Sequence, residues 1–411
     1  MSEWKEYKLG DCVEMQKGFA FKSSDYINKG IKIIKVSNLN QNRFDDSSCV
    51  FISPISAELY SRYSLFEDDI IISTVGSWPT NPESVVGKVC RVSKIINGSL
   101  LNQNAVRLRV KNNFNQRFLY YVLSGSNFSS FIANTAQGSA NQASITLEDI
   151  RSFKFFSPSK KDQDKIVSIL SSLDDKIANN RRICENLEAQ AQALFKHWFI
   201  DFAPFKDGKF VESELGMIPE GWRVGCLSDV LDLIKETTNQ GERPELPYLP
   251  IDSIPMKSFL LNEVKDNSEA QSSLLLFKKN DILVGAMRVY FHRVIPAPFD
   301  GITRSTCFVL RPKCDDYFSF ALCVTNSNDA IRYAQKTSKG STMPYAVWNG
   351  GLGSYCILIP PKSILKDFNL LIKNNIGLIQ NMYFENHCLT TLRDTLLPKL
   401  MSGEIDVTTN L

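Results

Sequence analysis

Hydrophobic residues recur at heptad spacing in two segments, one in the middle of the chain and one near its end. In the first segment two core positions are occupied by Leu170, Ile177, Cys184, Ala191 and Trp198, and by Ile166, Leu173, Asn180, Leu187 and Leu194. In the second segment they are occupied by Ile372, Ile379, Asn386, Arg393 and Leu400, and by Phe368, Asn375, Met382, Leu389 and Leu396. About five heptads at 3.5-residue spacing are typical of a coiled coil.

We therefore predict two long helices that pack against each other, with a second seam weakened by Arg393 and the asparagines. Two amphipathic helices that pack separately on globular domains would give the same pattern. We favour mutual packing because the two segments match in length. Pro158 and the pair Pro360-Pro361 precede them, where a missing proline N–H costs nothing at a helix start. Pro398 is expected to kink or end the second helix.

The heptad segments close two copies of one sequence unit. The motif Trp-x4-Leu-x-Asp occurs at residues 4–11 and again at 222–229, an offset of 218. QGSANQ at 137–142 resembles KGSTMP at 339–344, and FFSPSKKD at 155–162 resembles ILIPPKSI at 357–364, both at an offset of 202. The second copy is therefore sixteen residues shorter in its interior. Similar ends around a variable middle indicate two homologous units with different tasks.

Each copy predicts mixed secondary structure before its helix. Short β-rich runs in the first copy are Ile31–Val36, Asp69–Thr74, Val86–Val92 and Ala105–Val110, followed by a predicted helix at Gln116–Leu123. The second copy repeats the layout with strands at Asp281–Ala286 and Cys307–Pro312 and a helix around Phe318–Val324. The predicted fold class is α+β, with a twisted sheet and few helices in each unit.

Composition narrows the class of protein. A chain of 411 residues is long enough for two or three domains. No apolar run approaches the ~20 residues of a membrane span, and the N-terminus lacks a signal-peptide core, so we expect a cytoplasmic protein without membrane contact. The ten cysteines are dispersed without a C-x-x-C pair, which indicates reduced thiols. With only three dispersed histidines, no metal site is expected.

The charge distribution says more than the net charge of +3. Between Glu83 and Glu148 there is no acidic residue, and the interval carries Lys88, Arg91, Lys94, Arg107, Arg109, Lys111 and Arg117. One interpretation is a basic surface without a partner. The other is an electrostatic footprint for phosphate groups, which is typical of a nucleic-acid interface.

The sequence contains no motif that is typical of a catalytic site. NPES at 81–84 is not followed by the aromatic residues of a methyltransferase motif, and NGGLGS at 349–354 does not lead into a helix, so we interpret it as a turn. No Walker loop occurs, and the histidines have no partners that suggest a triad. We expect no catalytic residue on this chain.

Polar, aromatic and cationic residues cluster instead in the variable interiors. Asn and Gln bind adenine edges in the major groove, and Arg binds guanine. The candidate DNA-binding residues in the first copy are Lys17, Phe19, Lys22, Ser77, Trp78, Lys88, Arg91, Asn102, Gln103, Asn104, Gly138, Ser139, Asn141 and Gln142. Those in the second copy are Arg288, Tyr290, Arg293, Arg304, Ser305, Lys336, Lys339 and Ser341. Each residue taken alone is equally typical of a solvated surface or a turn.

The order of these motifs resembles the specificity subunit of type I restriction–modification enzymes. It runs from Trp-x4-Leu-x-Asp through a variable region, a GS loop and an SP or PP pair to a helix that ends in LFKHWF or LLPKLMSGEI. SELGMIPEGW at 213–222 is similar to the family's entry into its second recognition domain. The resemblance implies target-recognition domains at 1–159 and 222–360, helices at 160–200 and 361–411 in an antiparallel coiled coil, a linker at 201–221, and no catalysis.

The resemblance further implies a bipartite, asymmetric double-stranded DNA target and a subunit that positions two methyltransferase subunits and, through them, restriction subunits. S-adenosylmethionine is then expected on the methyltransferase subunits, with no cofactor on this chain. In an antiparallel pair, Trp198 is expected near Phe368 and Ile372, and Asn180 opposite Asn386 or Met382. The alternatives are a coiled-coil scaffold without sequence-specific DNA readout and a degenerate fused restriction–methylation polypeptide.

Overall fold

A computed structural model describes residues 4–40, 43–44, 49–78, 86–111, 114–139, 142–261, 263–271 and 273–407. Asn141 and the segment NPES lie outside the described residues. The chain divides into two compact units. Unit 1 comprises Met1–Asp174 with Thr391–Leu411, and unit 2 comprises Asp175–Thr390. Each of the two long helices therefore contributes one part to each unit.

Unit 1 is built from short strands around a small number of helices. Its strands are β1 Lys5–Lys8, β2 Val13–Lys17, β3 Ile31–Ile34, β4 Leu39–Asn40, β5 Arg43–Phe44, β6 Val50–Ile52, β7 Ile70–Ser73, β8 Val75–Gly76, β9 Val89–Arg91, β10 Leu100–Leu101, β11 Ala105–Val110, β12 Gln137–Ser139, β13 Gln142–Ser144 and β14 Lys154–Ser157. Its helices are α1 Leu9–Cys12, α2 Pro54–Glu58, α3 Gln116–Ser124, α4 Ser126–Thr135, α5 Leu147–Ser152 and the first part of α6 Lys160–Phe195.

Unit 2 has the same character. Its strands are β15 Phe210–Ser213, β16 Gly216–Pro219, β17 Arg223–Cys226, β18 Leu231–Ile234, β19 Thr237–Thr238, β20 Leu274–Phe277, β21 Ile282–Gly285, β22 Val294–Pro296, β23 Gly301–Arg304, β24 Cys307–Pro312 and β25 Cys356–Ile359. Its helices are α7 Phe318–Thr325, α8 Asn328–Lys336 and most of α9 Lys362–Met401. The predicted α+β class is confirmed.

The internal repeat predicted from the sequence is visible in the sheets. Unit 1 has a four-stranded sheet in the order β2-β11-β7-β9, and unit 2 has one in the order β18-β24-β21-β22. The matching strands are antiparallel in both. A second sheet pairs β1 with β14 in unit 1 and β17 with β25 in unit 2. The two copies therefore share the topology of these two sheets.

The Trp-x4-Leu-x-Asp motif anchors the beginning of each copy. The N–H of Leu9 donates to the carbonyl of Phe153, and the N–H of Leu227 donates to the carbonyl of Tyr355 at the equivalent place. Both leucines are fully buried. The ring of Trp222 lies 5.8 Å from that of Phe199, just beyond α6. A leucine thus fixes each motif to the strand that leads into a long helix.

Within unit 2 the long helices pack along the predicted seam. The rings of Trp198 and Phe368 lie 5.8 Å apart, and the sulfur atoms of Cys184 and Met382 lie 3.4 Å apart. Because residue numbers rise on α6 as they fall on α9, the two segments run antiparallel. Ile372 and Ile379 are fully buried in the same core. In unit 2, the mutual packing predicted from the heptads and the antiparallel arrangement implied by the family resemblance are both confirmed.

Within unit 1 the arginine that interrupts the second seam has a partner. Nη1 of Arg393 lies 2.8 Å from Oδ1 of Asp174, and both side chains are only about one-sixth exposed. The other oxygen of Asp174 accepts a 2.7 Å hydrogen bond from the hydroxyl of Tyr121 on α3. Arg393 therefore ties α9 to α6 and, through Asp174, to α3.

The helices of unit 2 also pack on its globular part, so the two packing modes weighed from the sequence coexist. On α9, Nε2 of Gln380 donates to the carbonyl of Ala297 at 3.0 Å. On α6, Oε1 of Glu188 accepts from the N–H of Phe259 at 2.8 Å and from the hydroxyl of Ser258 at 3.0 Å. Each helix therefore buries one face in the seam and another against the domain.

Two local features differ in detail from the sequence pattern. Helix α9 continues for three residues past Pro398 and ends at Met401. A proline so close to a helix end removes a single hydrogen bond in the last turns. The segment predicted as a linker contains the antiparallel hairpin β15–β16. None of the helices that the structure describes is long and apolar enough to span a membrane.

Candidate nucleic-acid interface

Four sequence-predicted segments of unit 1 meet at one end of its four-stranded sheet, around Thr74. The N–H of Thr74 donates to the carbonyl of Asn104 at 2.9 Å, and the carbonyl of Thr74 accepts from the N–H of Ile145 at 3.0 Å. Thr74 thereby joins the end of β7 to the NQN segment (102–104) and to β13. Segments that lie 30 and 71 residues after Thr74 in the sequence thus form one edge with it.

The GSW segment and the QGS segment are linked by a side chain. Nε1 of Trp78 donates to the carbonyl of Ser139 at 2.8 Å. Strand β13 pairs with β8 on one side and with β12 on the other, which aligns Ala143 with Gly76 and with Gly138. The two motifs therefore form a single three-stranded ribbon.

The KGF segment is held beside the NQN segment by a close backbone contact. A Cβ added at Gly18 would lie 2.0 Å from the carbonyl oxygen of Asn102, so only glycine fits there. The N–H of Phe19 donates to the carbonyl of Leu101 at 2.9 Å. The segments 17–22, 74–78, 102–104, 137–139 and 142–144 are called the unit 1 edge below.

The unit 1 edge presents amide and hydroxyl groups to solvent. Its exposed candidate residues are Lys17, Lys22, Gln103, Asn104, Gly138, Ser139 and Gln142, and its partly buried ones are Phe19, Ser77, Trp78 and Asn102. Gln137 and Ser144, which the sequence analysis did not select, are exposed on the same ribbon. Successive side chains of a strand point to opposite faces, so the exposure of Gln137 and Ser144 could have been predicted once β12 and β13 were assigned as strands.

Unit 2 forms the equivalent edge with the same backbone bonds. The N–H of Ala286 donates to the carbonyl of Thr306 at 2.9 Å, and the N–H of Ala346 donates to the carbonyl of Ala286 at 2.8 Å. These bonds match those at Thr74 in unit 1. The N–H of Arg288 then donates to the carbonyl of Pro344 at 2.8 Å. The segments 286–293, 304–306 and 339–346 are called the unit 2 edge below.

The unit 2 edge presents cations and aromatic rings. The exposed candidate residues of this unit are Arg288, Tyr290, Arg304, Ser305, Lys336, Lys339 and Ser341. A cavity of about 380 Å³ opens beside Ala286, Ser305 and Tyr345. Two exposed residues, Phe291 and Tyr345, were missed because an aromatic residue in a strand-rich sequence is more often part of the core.

Both copies match the family model described as "Type I restriction modification DNA specificity domain", at residues 1–189 and 219–389. The chain belongs to this family of type I restriction–modification specificity subunits. The MjaIX specificity subunit of Methanocaldococcus jannaschii is 29% identical over 333 residues, which cover 74% of this chain and 73% of the relative. The HindI specificity subunit of Haemophilus influenzae is 23% identical, and the match covers 98% of this chain and 100% of the relative.

A solved structure supports the fold of this specificity subunit. The crystal structure of a type I restriction-modification system S subunit from M. genitalium superposes with a TM-score of 0.56 at 14% identity. The superposition covers 97% of this chain and 96% of that one. The family's fold, with two homologous units and long helices, is therefore shared along the whole chain.

Several cations of the basic interval bind groups of unit 1 itself, which corrects the prediction that Lys88 contacts DNA. Lys88 is buried, and its ammonium group donates to the carbonyl of Leu39 at 3.1 Å, so it is unavailable to DNA. Nη1 of Arg91 lies 2.8 Å from Asp68, whose carboxylate also binds Arg117. Arg91 and Arg117 thus neutralise an acid that precedes the interval in the sequence, and all three cations stabilise the domain.

One of these ion pairs is repeated in both copies. Nε of Arg109 lies 2.6 Å from the nearly buried carboxylate of Asp69, and Arg311 binds Asp281 at 2.8 Å in the same way. The hydrogen bond to the aspartate raises the pKa of each guanidinium group. Each aspartate also accepts a backbone N–H, from Phe66 in unit 1 and Lys278 in unit 2. The pairs are structural elements of the specificity-subunit fold.

Two further candidates have structural partners. Nη1 of Arg293 donates to the carbonyls of Ile251 and Asp252 at 3.0 and 3.1 Å and also contacts the carbonyl of Ile254. Burial lowers the pKa of this guanidinium group. The ring of Phe19 lies 4.7 Å from that of Tyr60. Arg293 thus fixes a loop, and Phe19 belongs to an aromatic cluster below the surface of the specificity subunit.

Proposed function

We propose that this specificity subunit reads a bipartite, asymmetric DNA target, with one half-site bound by each unit. The observation that carries the proposal is the edge that both units build with the same backbone bonds and fill with different side chains. Thr74 and Ala286 occupy equivalent positions in it. Loops held on a rigid sheet are a common location for recognition residues. Two edges with the same backbone structure and different side chains would bind two half-sites of different sequence.

The chemistry of the two edges supports different readouts. The unit 1 edge exposes amides, including Gln103, Asn104 and Gln142. Asn and Gln make paired hydrogen bonds with adenine in the major groove. The unit 2 edge exposes Arg288 and Lys339. Arg and Lys make paired bonds with guanine and also bind phosphates. We therefore expect one half-site with an adenine contact and one with a guanine contact.

We further propose that the subunit performs no chemical step and positions two methyltransferase subunits, through which restriction subunits join. The curated relatives are named specificity subunits, which supports a recognition role. S-adenosylmethionine would bind the methyltransferase subunits and not this chain. We propose a cytoplasmic location, because such an assembly would act on DNA inside the cell.

Helix α9 offers a surface for such partners. Leu371 and Leu378 lie one heptad apart and are 50% and 48% exposed, although the seam residues beside them are buried. Exposed apolar side chains beside a helix seam are typical of a helix-packing interface. The helices would thus join the units and also hold the methyltransferase subunits.

Methylome sequencing of cells with and without this gene, in the presence of its methyltransferase partner, tests the proposal. We expect one bipartite adenine-methylation motif to be present only when this chain is made. An identical methylome in both strains, with a functional methyltransferase present, would contradict DNA readout and favour the alternative of a scaffold without sequence recognition.

A further inference from the structure

The turn Val289–Phe291 in unit 2 displays two aromatic rings outside the core. Tyr290 is 43% exposed and Phe291 is 38% exposed, and their ring centroids are 5.0 Å apart. Val289, the first residue of the turn, is buried and anchors it. Apolar side chains that protrude together are costly to leave in water, and on a monomer such a patch commonly marks an interaction site.

The turn is held in a strained conformation. Arg288 and His292, which flank it, both have left-handed backbone angles, with φ of 50° and 53°. Non-glycine residues in this region carry strain, which persists only where the surroundings enforce it and which clusters at functional sites. The strain here serves to project Tyr290 and Phe291 together.

Contacts on both sides enforce this geometry. The N–H of Arg288 donates to the carbonyl of Pro344, and the carbonyl of His292 accepts from the N–H of Lys257, both at 2.8 Å. The buried ring of His292 lies 2.9 Å from the side-chain oxygen of Asn326. The guanidinium group of Arg293 binds the 251–254 loop beneath. The aromatic pair is therefore preorganised.

The charges around the pair favour a nucleic acid as its partner. Arg288 and Lys257, one on either side of the turn, are both exposed cations. Lys339 lies on the hairpin whose residue Pro344 binds the N–H of Arg288. An apolar projection between cations matches the base stack of a duplex between its phosphates.

We propose that Phe291, braced by Tyr290, inserts as a wedge between two adjacent base pairs in the half-site that unit 2 reads. This inference rests on the proposed function. Apolar wedges unstack a base step and kink the duplex, and pyrimidine–purine steps yield most easily. The wedge selects such a step through its deformability, without a hydrogen bond to either base.

The test uses the chain assembled with its methyltransferase subunits and a duplex that carries the motif found by methylome sequencing. 2-Aminopurine reports unstacking and is placed in turn at each position of both half-sites, apart from the methylated adenines and their immediate neighbours, because a methyltransferase itself flips its target base out of the stack. With the unchanged chain we expect a fluorescence increase of about threefold or more at one step of one half-site. The double variant Tyr290→Ala/Phe291→Ala loses this increase and binds the duplex about tenfold more weakly.

Two controls make the result specific. Phe156→Ala removes another exposed ring, in unit 1, and leaves both signals unchanged. A mismatch at the base step that brightens weakens the stacking that the wedge would otherwise break. We therefore expect the double variant to bind this mismatched duplex almost as tightly as the unchanged chain binds the matched one. Phe291→Leu keeps an apolar wedge and retains the increase at the same step.

Each contrary outcome is distinct. If the complex binds and methylates its motif but no position brightens, the wedge is wrong and the proposed function stands. If the double variant no longer assembles with the methyltransferase, the pair is a protein contact and the wedge is wrong. If the complex binds no motif in preference to random DNA, the proposed function fails and the wedge fails with it.

Discussion

The side-chain amide of Asn180 on α6 donates a 2.9 Å hydrogen bond to the side-chain oxygen of Asn386 on α9, inside the seam of unit 2. The same amide lies 2.8 Å from Oε2 of Glu385, and Lys176 binds the other oxygen of that carboxylate at 3.2 Å. Asn180 is fully buried. A polar pair in a largely apolar seam fixes the register, because any slip along the helices leaves the buried amide of Asn180 without its partners.

Asn180→Ala is expected to lower the free energy of unfolding by about 1–3 kcal/mol, since it leaves the partners of the amide unpaired. Urea denaturation measures the change. The double variant Asn180→Leu/Asn386→Leu is expected to regain this stability through apolar packing. Asn179→Ala, an exposed neighbour, serves as the control and changes stability by less than about 0.5 kcal/mol. Equal stability of Asn180→Ala and the control would show that the amide does not stabilise the seam.

Asp174→Ala is expected to destabilise unit 1 by about 3–5 kcal/mol, because Arg393 and the hydroxyl of Tyr121 lose their common acceptor in a mostly buried site. Hydrogen exchange of the α3 and α6 amides in unit 1 measures the local effect. Asp175→Ala, the next residue and an exposed one, is the matched control. Protection that is unchanged in both variants would contradict a stabilising role for the ion pair.

Glu188 predicts a pH dependence of stability. Burial raises its pKa from 4.5 to about 7, although hydrogen bonds from Phe259 and Ser258 partly oppose the shift. The folded state therefore keeps a proton that the unfolded state releases between pH 4.5 and 7, so stability falls as the pH rises through this range. The contribution is at most about 3 kcal/mol.

Glu188→Gln keeps an acceptor for both hydrogen bonds and removes the proton. We expect its free energy of unfolding, from urea titrations between pH 4.5 and 7.5, to lack the decline of the unchanged chain. Glu185→Gln, an exposed glutamate one turn away, retains the decline. A decline of equal size in Glu188→Gln would assign it to another group.

Substitutions at the two edges are expected to act on separate half-sites. Gln103→Ala should relax or weaken one half of the methylation motif, and Arg288→Ala the other half. A paired contact to a base contributes about 1–3 kcal/mol of discrimination, or roughly 5–150-fold. Methylome sequencing of each variant checks the assignment. Gln190→Ala, an exposed glutamine on α6, should leave both halves unchanged.

The result that would contradict separate readout is a change in both half-sites from either single variant. A uniform loss of methylation, with the motif unchanged, would instead assign the residue to phosphate contact. Binding at two salt concentrations then distinguishes the cases, since loss of a phosphate contact lowers the salt dependence by about one counterion.

Helix length is expected to set the spacer of the target. Removing one matched heptad from α6 and α9 shortens each helix by about 10 Å. At ~3.4 Å per base pair, the preferred spacer should shorten by about three base pairs, with both half-sites unchanged. The motif read from the methylome measures this directly. An unchanged spacer would show that the helices do not act as a ruler.

The sequence by itself determined the repeat, the α+β class and the paired helices. Heptad periodicity and strand alternation are local patterns, and the equivalent hydrogen bonds at Leu9 and Leu227 repeat because the motif that makes them is repeated. The contact between Trp198 and Phe368 was expected from the family resemblance, which implied an antiparallel pair of helices. The repeat and the heptads depend on spacing alone, and spacing is visible in a sequence.

The tertiary structure decided which charged and aromatic groups face solvent. Arg109 appeared unopposed in a basic interval, but its partner Asp69 lies forty residues earlier and reaches it only across neighbouring strands. Lys88 binds the carbonyl of Leu39, and Arg393 binds Asp174. In both cases the partner comes from a segment that is distant in the sequence. Phe291 is exposed because a strained turn projects it. Pairing and exposure depend on which distant segments meet, and sequence spacing does not contain that information.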